Sequence, residues 1–73
     1  MNTSSEKAVA TTYEVLVRGS LSDNLVVELG ARLFEPRKGR SLLIVDVIDQ
    51  SHLHGILNSL QDHNLEIERV NPI

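Results

Sequence analysis

The residues best suited to chemistry are concentrated in the last third of the chain. Residues 49–64 hold all three histidines, His52, His54 and His63, among acidic and amide side chains. Neutral imidazole is a common metal ligand, and histidine is a frequent acid or base in catalysis. A metal or catalytic site is therefore the first hypothesis that this segment raises.

The spacing of the histidines argues against a metal site within one chain. If the segment is helical, His52 and His54 point to nearly opposite flanks, because each residue turns the helix by about 100°. His52 and His63 share a flank but lie about 16 Å apart along the axis, whereas zinc–nitrogen distances are about 2 Å. We interpret the histidines as polar flanks of a helix, with His63 near the negative end of its dipole.

Gly55 is unusual because it lies on the predicted outward face of that helix. Glycine in a helix costs about 1 kcal/mol relative to alanine. Either the fold tolerates it, or a partner backbone or ligand approaches closely there. We therefore keep His54 and Gly55 as candidate interface residues.

Other catalytic patterns are absent from the sequence. There is no cysteine, so a thiolate nucleophile, a disulfide and a cysteine metal site are all excluded. The glycines form neither a dinucleotide-binding nor a phosphate-binding loop, and no serine lies in a nucleophile elbow. The sequence predicts a protein that is not an enzyme and that has no cofactor and no metal.

Length and composition predict one small domain with an aliphatic core. The chain has 73 residues, a net charge of −3, a pI near 5.4, and Tyr13 and Phe34 as its only aromatics. An acidic balance provides no global field that would attract nucleic acid or anionic lipid. Neither a signal peptide nor a membrane-spanning stretch is evident. We expect a soluble, cytoplasmic protein.

The first half of the chain changes pattern near residue 12. Residues 1–11 are small and polar and are predicted to be a flexible tail, with a single domain over residues 12–73. Apolar and polar residues alternate over residues 13–18, which predicts a strand. Residues 20–30 fit a short helix capped by Ser20 or Ser22, or an extended segment because two adjacent valines are β-branched.

The second half predicts a hairpin, a helix and a final strand. The hairpin turns within residues 36–39. The helix begins at the N-cap Asp49 and stops at Asn64 in a left-handed conformation, and residues 65–70 form the last strand. The apolar stripe of this helix contains Leu53, Leu57 and Leu60, with Ile56 at its edge. The resulting α+β order, β-α-β-β-α-β, predicts a ferredoxin-like two-layer sandwich with an antiparallel sheet.

The helix also carries a family resemblance. Asp49 and Gln50, followed by the segment LHGIL at residues 53–57, resemble the C-terminal half of short bacterial proteins of about this length that have no assigned activity. The resemblance covers about a third of the chain well. It implies a naturally short, complete chain and no catalytic residues.

Alternation along the two central strands points to a partner. The face away from the helices should be polar, yet it is predicted to carry Leu16, Leu42, Ile44 and Ile48. We therefore expect a homodimer that buries this patch. We interpret the protein as a protein-interaction or accessory module. The alternative is a small-ligand sensor that binds at the dimer interface.

A second alternative is RNA or DNA binding through the basic hairpin tip, formed by Arg37, Lys38 and Arg40. Residues 38–45 resemble the third strand of RNA-recognition motifs. The positions that stack bases in those domains hold Leu16, Arg40 and Leu42 instead of aromatics. We therefore disfavour nucleic acid as the partner.

Overall fold

A computed structural model of the protein describes residues 10–73. Its elements in chain order are β1 (Thr11–Arg18), α1 (Asp23–Leu29), β2 (Leu33–Arg37), β3 (Arg40–Val47), α2 (Gln50–Asp62) and β4 (Glu66–Pro72). The expected β-α-β-β-α-β order is confirmed. Most of the predicted tail, residues 1–9, lies outside the described residues. Thr11 already belongs to β1, so the first strand begins one residue before the expected domain boundary.

The four strands form one antiparallel sheet in the order β2-β3-β1-β4. The central pair is β3 and β1, as expected from the ferredoxin-like order of elements. This α+β architecture is compatible with a ferredoxin-like two-layer sandwich. No helix within residues 10–73 is long and apolar enough to cross a membrane.

The ambiguous segment at residues 20–30 contains a helix. Ser22 is the N-cap of α1, and its hydroxyl accepts a hydrogen bond from the backbone N–H of Leu25 at 3.2 Å. The helix ends at Gly30, whose φ of 69° is left-handed. Leu25 and Leu29 are buried one turn apart, so packing against the sheet outweighs the strand preference of the adjacent valines.

Helix α2 starts and stops as predicted, but the centre of its buried face differs. Asp49 is the N-cap, and Asn64 has a left-handed φ of 61°. Ile56 and Leu60 are the buried residues of the helix. The flanking leucines at 53 and 57 are only partly buried. Ile56 therefore lies at the centre of the buried stripe, whereas the sequence pattern predicted it at the edge.

The core lies between the helices and one face of the sheet. The apolar residues that alternate with the predicted outward residues on the central strands are all buried, namely Val15, Val17, Leu43, Val45 and Val47. They pack with the buried residues of the two helices. Both aromatic residues, Tyr13 and Phe34, pack against the same core, so the opposite face of the sheet has no aromatic side chain among the described residues.

A tight corner joins the end of β1 to the start of β3. Gly19 has a φ of 114°, a conformation that side chains rarely adopt. Its N–H donates to the carbonyl of Gly39 at 2.9 Å, and its own carbonyl accepts the hydroxyl of Ser41 at 2.8 Å. Ser41 is 1% exposed, so this bond satisfies a buried polar group. The corner fixes the ends of both central strands relative to each other.

The hairpin between β2 and β3 is tighter than the sequence indicated. The predicted turn spanned residues 36–39, but Pro36 still belongs to β2, and Arg37 pairs directly with Arg40. β2 is an edge strand, where a residue without an N–H donor is tolerated. The turn therefore consists of Lys38 and Gly39 alone.

Candidate interaction surface

The sheet face away from the helices carries four apolar side chains, which we call the open-face patch: Leu16, Leu33, Leu42 and Ile44. Leu33 pairs across the strands with Ile44, and Leu42 pairs with Leu16, so each pair shares a face. None of the four belongs to the core cluster. Leu33 is 49% exposed, whereas Leu42 is 8% exposed because its neighbours already cover it. The patch is therefore present, but Leu42 contributes less exposed apolar surface to it than the sequence suggested.

The remaining interface candidates lie elsewhere. Ile48 follows the end of β3 and is 61% exposed, in a separate depression beside Tyr13 and Leu53. His54 and Gly55 are exposed on α2, in the helix layer. The predicted contiguous patch of four residues therefore loses Ile48. In its place Leu33 joins the patch, which sequence reasoning missed.

Gly55 borders a groove between the two helices. The groove has a volume of about 300 Å³, and Leu29, His52 and Ile56 contribute to its lining. A Cβ atom added at Gly55 would meet nothing within 4 Å. Packing within the described residues therefore does not require a glycine at this position.

Asp46 occupies one end of the open face. Its carboxylate accepts the hydroxyl of Thr12 at 2.8 Å and the guanidinium of Arg32 at 2.7 Å. The hydrogen bond from Thr12, followed by the bond and charge of Arg32, lowers the pKa of Asp46. Both oxygens have partners, so Asp46 ties the end of β3 to its neighbours and is poorly suited to act as a catalytic base.

The other end of the open face is basic, and we call it the basic end: Arg18, Arg37, Lys38, Arg40 and Arg69. These are five of the seven Lys and Arg residues in the chain. Arg18 pairs across the strands with Arg40, and Arg40 with Arg37, while Lys38 lies in the adjacent turn. The sequence identified the residues at 37, 38 and 40 but not the other two.

A β-bulge in β4 brings Arg69 to this surface. Leu16 pairs with Arg69 and Val17 with Ile67, so Glu68 is an extra residue on β4. As a result the side chains of Glu68 and Arg69 both lie on the open face, although the two residues are adjacent in sequence. Strict alternation would have turned Arg69 away from it.

Glu68 orders two of the arginines. Its carboxylate accepts from Nε of Arg40 at 2.6 Å and from Nε and Nη2 of Arg18 at 3.0 and 2.9 Å. The hydrogen bond from Arg40, then that from Arg18, lowers the pKa of Glu68. The hydrogen bond to Glu68, followed by the charges of Glu66 and Glu68, raises the pKa of Arg18. Three strands, β1, β3 and β4, are thereby linked on the open face.

A shallow depression of about 500 Å³ lies at the basic end. Its lining consists of Leu16, Arg37, Lys38, Arg40, Glu68 and Arg69. Within residues 10–73, Lys38 and Arg69 make no salt bridge. Four cationic groups therefore surround an apolar floor.

Two histidines make hydrogen bonds at the ends of α2. Nδ1 of His52 accepts from the backbone N–H of Ile48 at 3.3 Å. Nδ1 of His63 lies 2.8 Å from the carbonyl oxygen of Ser59, to which it donates as a protonated nitrogen. His54 is exposed. In the part of the chain that the structure describes, no group of three or more potential ligands could hold a metal ion.

Comparison with known proteins places the chain in a family. A family model described as a domain of unknown function (DUF8691) matches residues 12–71. No curated protein and no solved structure matches the chain. The matched region contains every strand and helix described above, with only the first residue of β1 and the last of β4 beyond its ends. The chain therefore belongs to the DUF8691 family.

Proposed function

We propose that this protein is a small, non-enzymatic interaction module in which the open faces of two copies pack together. In this proposal each copy folds as a ferredoxin-like two-layer sandwich whose helices cover one face of the sheet. The second copy covers the other face. In this role the protein acts through protein contacts, as an accessory or regulatory subunit.

The observation that carries the proposal is the apolar open-face patch. The uncovered face of a two-layer antiparallel sheet is ordinarily polar. Here Leu33 is 49% exposed, and Leu16 and Ile44 are partly exposed beside it. Complete burial of such a side chain contributes about 1.5–3 kcal/mol, and a domain of this size has only several kcal/mol of net stability. Covering the patch is therefore a substantial gain.

Charge placement supports a second copy as the cover. Glu14 pairs across the strands with Ile44, whereas Arg18 pairs with Arg40 four residues further along. A two-fold axis that crosses the strands turns the partner end for end, so Glu14 of each copy approaches the arginines of the other. Such an arrangement is self-complementary, as a two-fold interface requires.

The alternative axis is less favourable. If the two-fold axis ran along the strands between β1 and β3, Arg18 of one copy would face Arg40 of the other. Opposing like charges disfavour that packing. The proposal therefore includes the orientation of the two copies as well as the face that they share.

Sedimentation velocity of matched variants tests the proposal. We expect the wild type to sediment at about twice the chain mass at micromolar concentration and Leu33→Glu to sediment as a monomer. Leu33 lies on the edge strand, so this variant should remain folded. Ile44→Glu, on a central strand, should also prevent association, or unfold the chain.

Val27→Glu is the matched control, because Val27 is 77% exposed on α1 in the other layer. We expect it to keep the wild-type mass. A monomeric wild type, or a Leu33→Glu variant that stays dimeric and folded, would refute the open-face dimer.

A further inference from the structure

We propose that the basic end binds the phosphate group of a compact, phosphate-bearing small molecule, which is held by Arg37, Lys38, Arg40 and Arg69. The depression described above is the binding site, and Leu16 is its apolar floor. The site itself does not depend on the proposed dimer, because all of these residues belong to one chain.

Positive charge is concentrated at the basic end. The chain has a net charge of −3, yet five of its seven cations gather at this end. Three carboxylates accompany them, Glu35, Glu66 and Glu68, and each contacts an arginine of the basic end. Two positive charges remain in excess. A locally positive surface on an acidic protein selects for a small anion.

The hydrogen-bond donors of the basic end remain available to a ligand. Arg40 uses Nε for Glu68, which leaves both of its terminal nitrogens for a ligand. Arg37 bonds Glu35 at 3.1 Å, but both side chains are more than half exposed, so water and ligands compete easily with this pair. Lys38 and Arg69 have no salt bridge within the described residues.

Two of these arginines are positioned before a ligand binds. Glu68 holds the guanidinium of Arg40 at 2.6 Å, and the bulge places Arg69 opposite Leu16 on the next strand. Guanidinium groups bind phosphate through paired hydrogen bonds of fixed geometry, so holding them in place reduces the entropy lost on binding. Lys38 adds a mobile point charge from the turn.

The shape of the surface favours a compact ligand over a nucleic acid strand. The depression is shallow and has a volume of about 500 Å³, so it has room for a compact molecule that lies against the surface. Glu35 and Glu66 flank the basic end, so no continuous positive track runs across the described surface. Tyr13 and Phe34 pack towards the core and are not available to stack bases, as single-strand binders require.

Calorimetric titration with pyrophosphate and with AMP tests the proposal. Arg69→Gln and Lys38→Gln should each weaken binding about fivefold, which is the effect of one unit charge about 4 Å away in water. Arg32→Gln is the matched control, since it removes the same charge at the opposite end of the open face. It should change the affinity less than twofold. Each variant should first show the thermal unfolding curve of a folded domain.

The titrations should include Leu33→Glu, because the partner in the proposed dimer approaches the same arginines. The partner would also cover Leu16, so this variant should bind pyrophosphate more tightly than the wild type if the dimer forms, and equally tightly if it does not. An oligouridylate provides the other source of phosphate groups, and its affinity should not grow with length. Absence of saturable binding of millimolar pyrophosphate to Leu33→Glu, equal weakening by Arg32→Gln, or oligonucleotide affinity that rises with length would overturn the proposal.

Discussion

The corner at Gly19 sets the position of the basic end, and substitution there should be severe. Gly19 follows Arg18 directly, and its carbonyl receives the hydroxyl of Ser41, next to Arg40. Its φ of 114° is an uncommon conformation for any residue with a side chain, and an added Cβ would lie 3.1 Å from Cδ2 of Leu65. Gly19→Ala therefore combines backbone strain with a close contact.

The expected loss can be estimated from these two contributions. A strained backbone conformation of this kind costs about 1–3 kcal/mol. The contact with Leu65 adds about 1 kcal/mol or less, because the end of a leucine side chain can rotate away. The total is about 1–4 kcal/mol. For a domain of this size, each kcal/mol lowers the melting temperature by about 4–8 °C, so Gly19→Ala should lower it by at least about 4 °C.

Two other glycines provide matched controls for the same substitution. Gly30 has a left-handed φ of 69° but open space around its Cβ position, so Gly30→Ala should cost about 1 kcal/mol. Gly55 is helical and also has open space, so Gly55→Ala should raise the free energy of unfolding by up to about 1 kcal/mol. Thermal and urea unfolding followed by circular dichroism would rank the three variants.

The ranking is the test of the reasoning. A Gly19→Ala variant that is no less stable than Gly30→Ala would show that the corner is not constrained as described. Loss of stability in Gly55→Ala would show that something occupies the groove beside that residue.

Two further predictions concern charge. Glu68 and Asp46 both have pKa values lowered in the folded state, so their contribution to stability is present above their ordinary pKa values and is lost as the pH falls through the folded ones. Urea unfolding between pH 7 and pH 3 should show that the free energy of unfolding decreases at acid pH, and that the decrease is smaller in Glu68→Gln. A decrease in that variant equal to the wild-type decrease would contradict the contribution of the Glu68 ion pairs. His52→Glu should stabilise α2 by about 0.5 kcal/mol, because a carboxylate at this third helical position accepts backbone N–H bonds and interacts favourably with the helix dipole. A lower melting temperature in this variant would show that the bond from the N–H of Ile48 to His52 contributes more than the carboxylate does.

Local signals in the sequence were sufficient for most of the fold. Asp49 and Asn64 mark the ends of α2 through their own backbone preferences, so they could be identified one residue at a time. Alternation on β1 and β3 predicted which residues face the helices. The order of elements then limited the topology, and the sheet has the expected central pair.

The surface was harder to predict because it depends on register. Ile48 continues the alternation of β3 in sequence, but the strand stops at Val47 so that Asp49 can cap the next helix. Leu33 and Phe34 are adjacent and both apolar, and only the pairing of Leu33 with Ile44 shows which of them is outward. A composition-based argument had no means to choose between them.

The basic end was recognised only in part, for a related reason. Arg37, Lys38 and Arg40 are close in sequence, whereas Arg69 is brought to them by the bulge at Glu68. A bulge shifts the faces of all later residues in its strand, and no glycine in β4 marks its position. The bulge is visible only in the pairing of β4 with β1, which is a long-range contact.

The most direct test of the open-face dimer is a contact measured between two copies. In a mixed sample of isotope-labelled and unlabelled protein, isotope-filtered nuclear Overhauser spectra report only methyl groups that lie close to the other copy. The account predicts intermolecular contacts for the methyl groups of Ile44 and Leu33, and none for those of Ile48 or Val27. Intermolecular contacts confined to Ile48, Val27 or the α2 face around Gly55, or no intermolecular contacts at all, would contradict it.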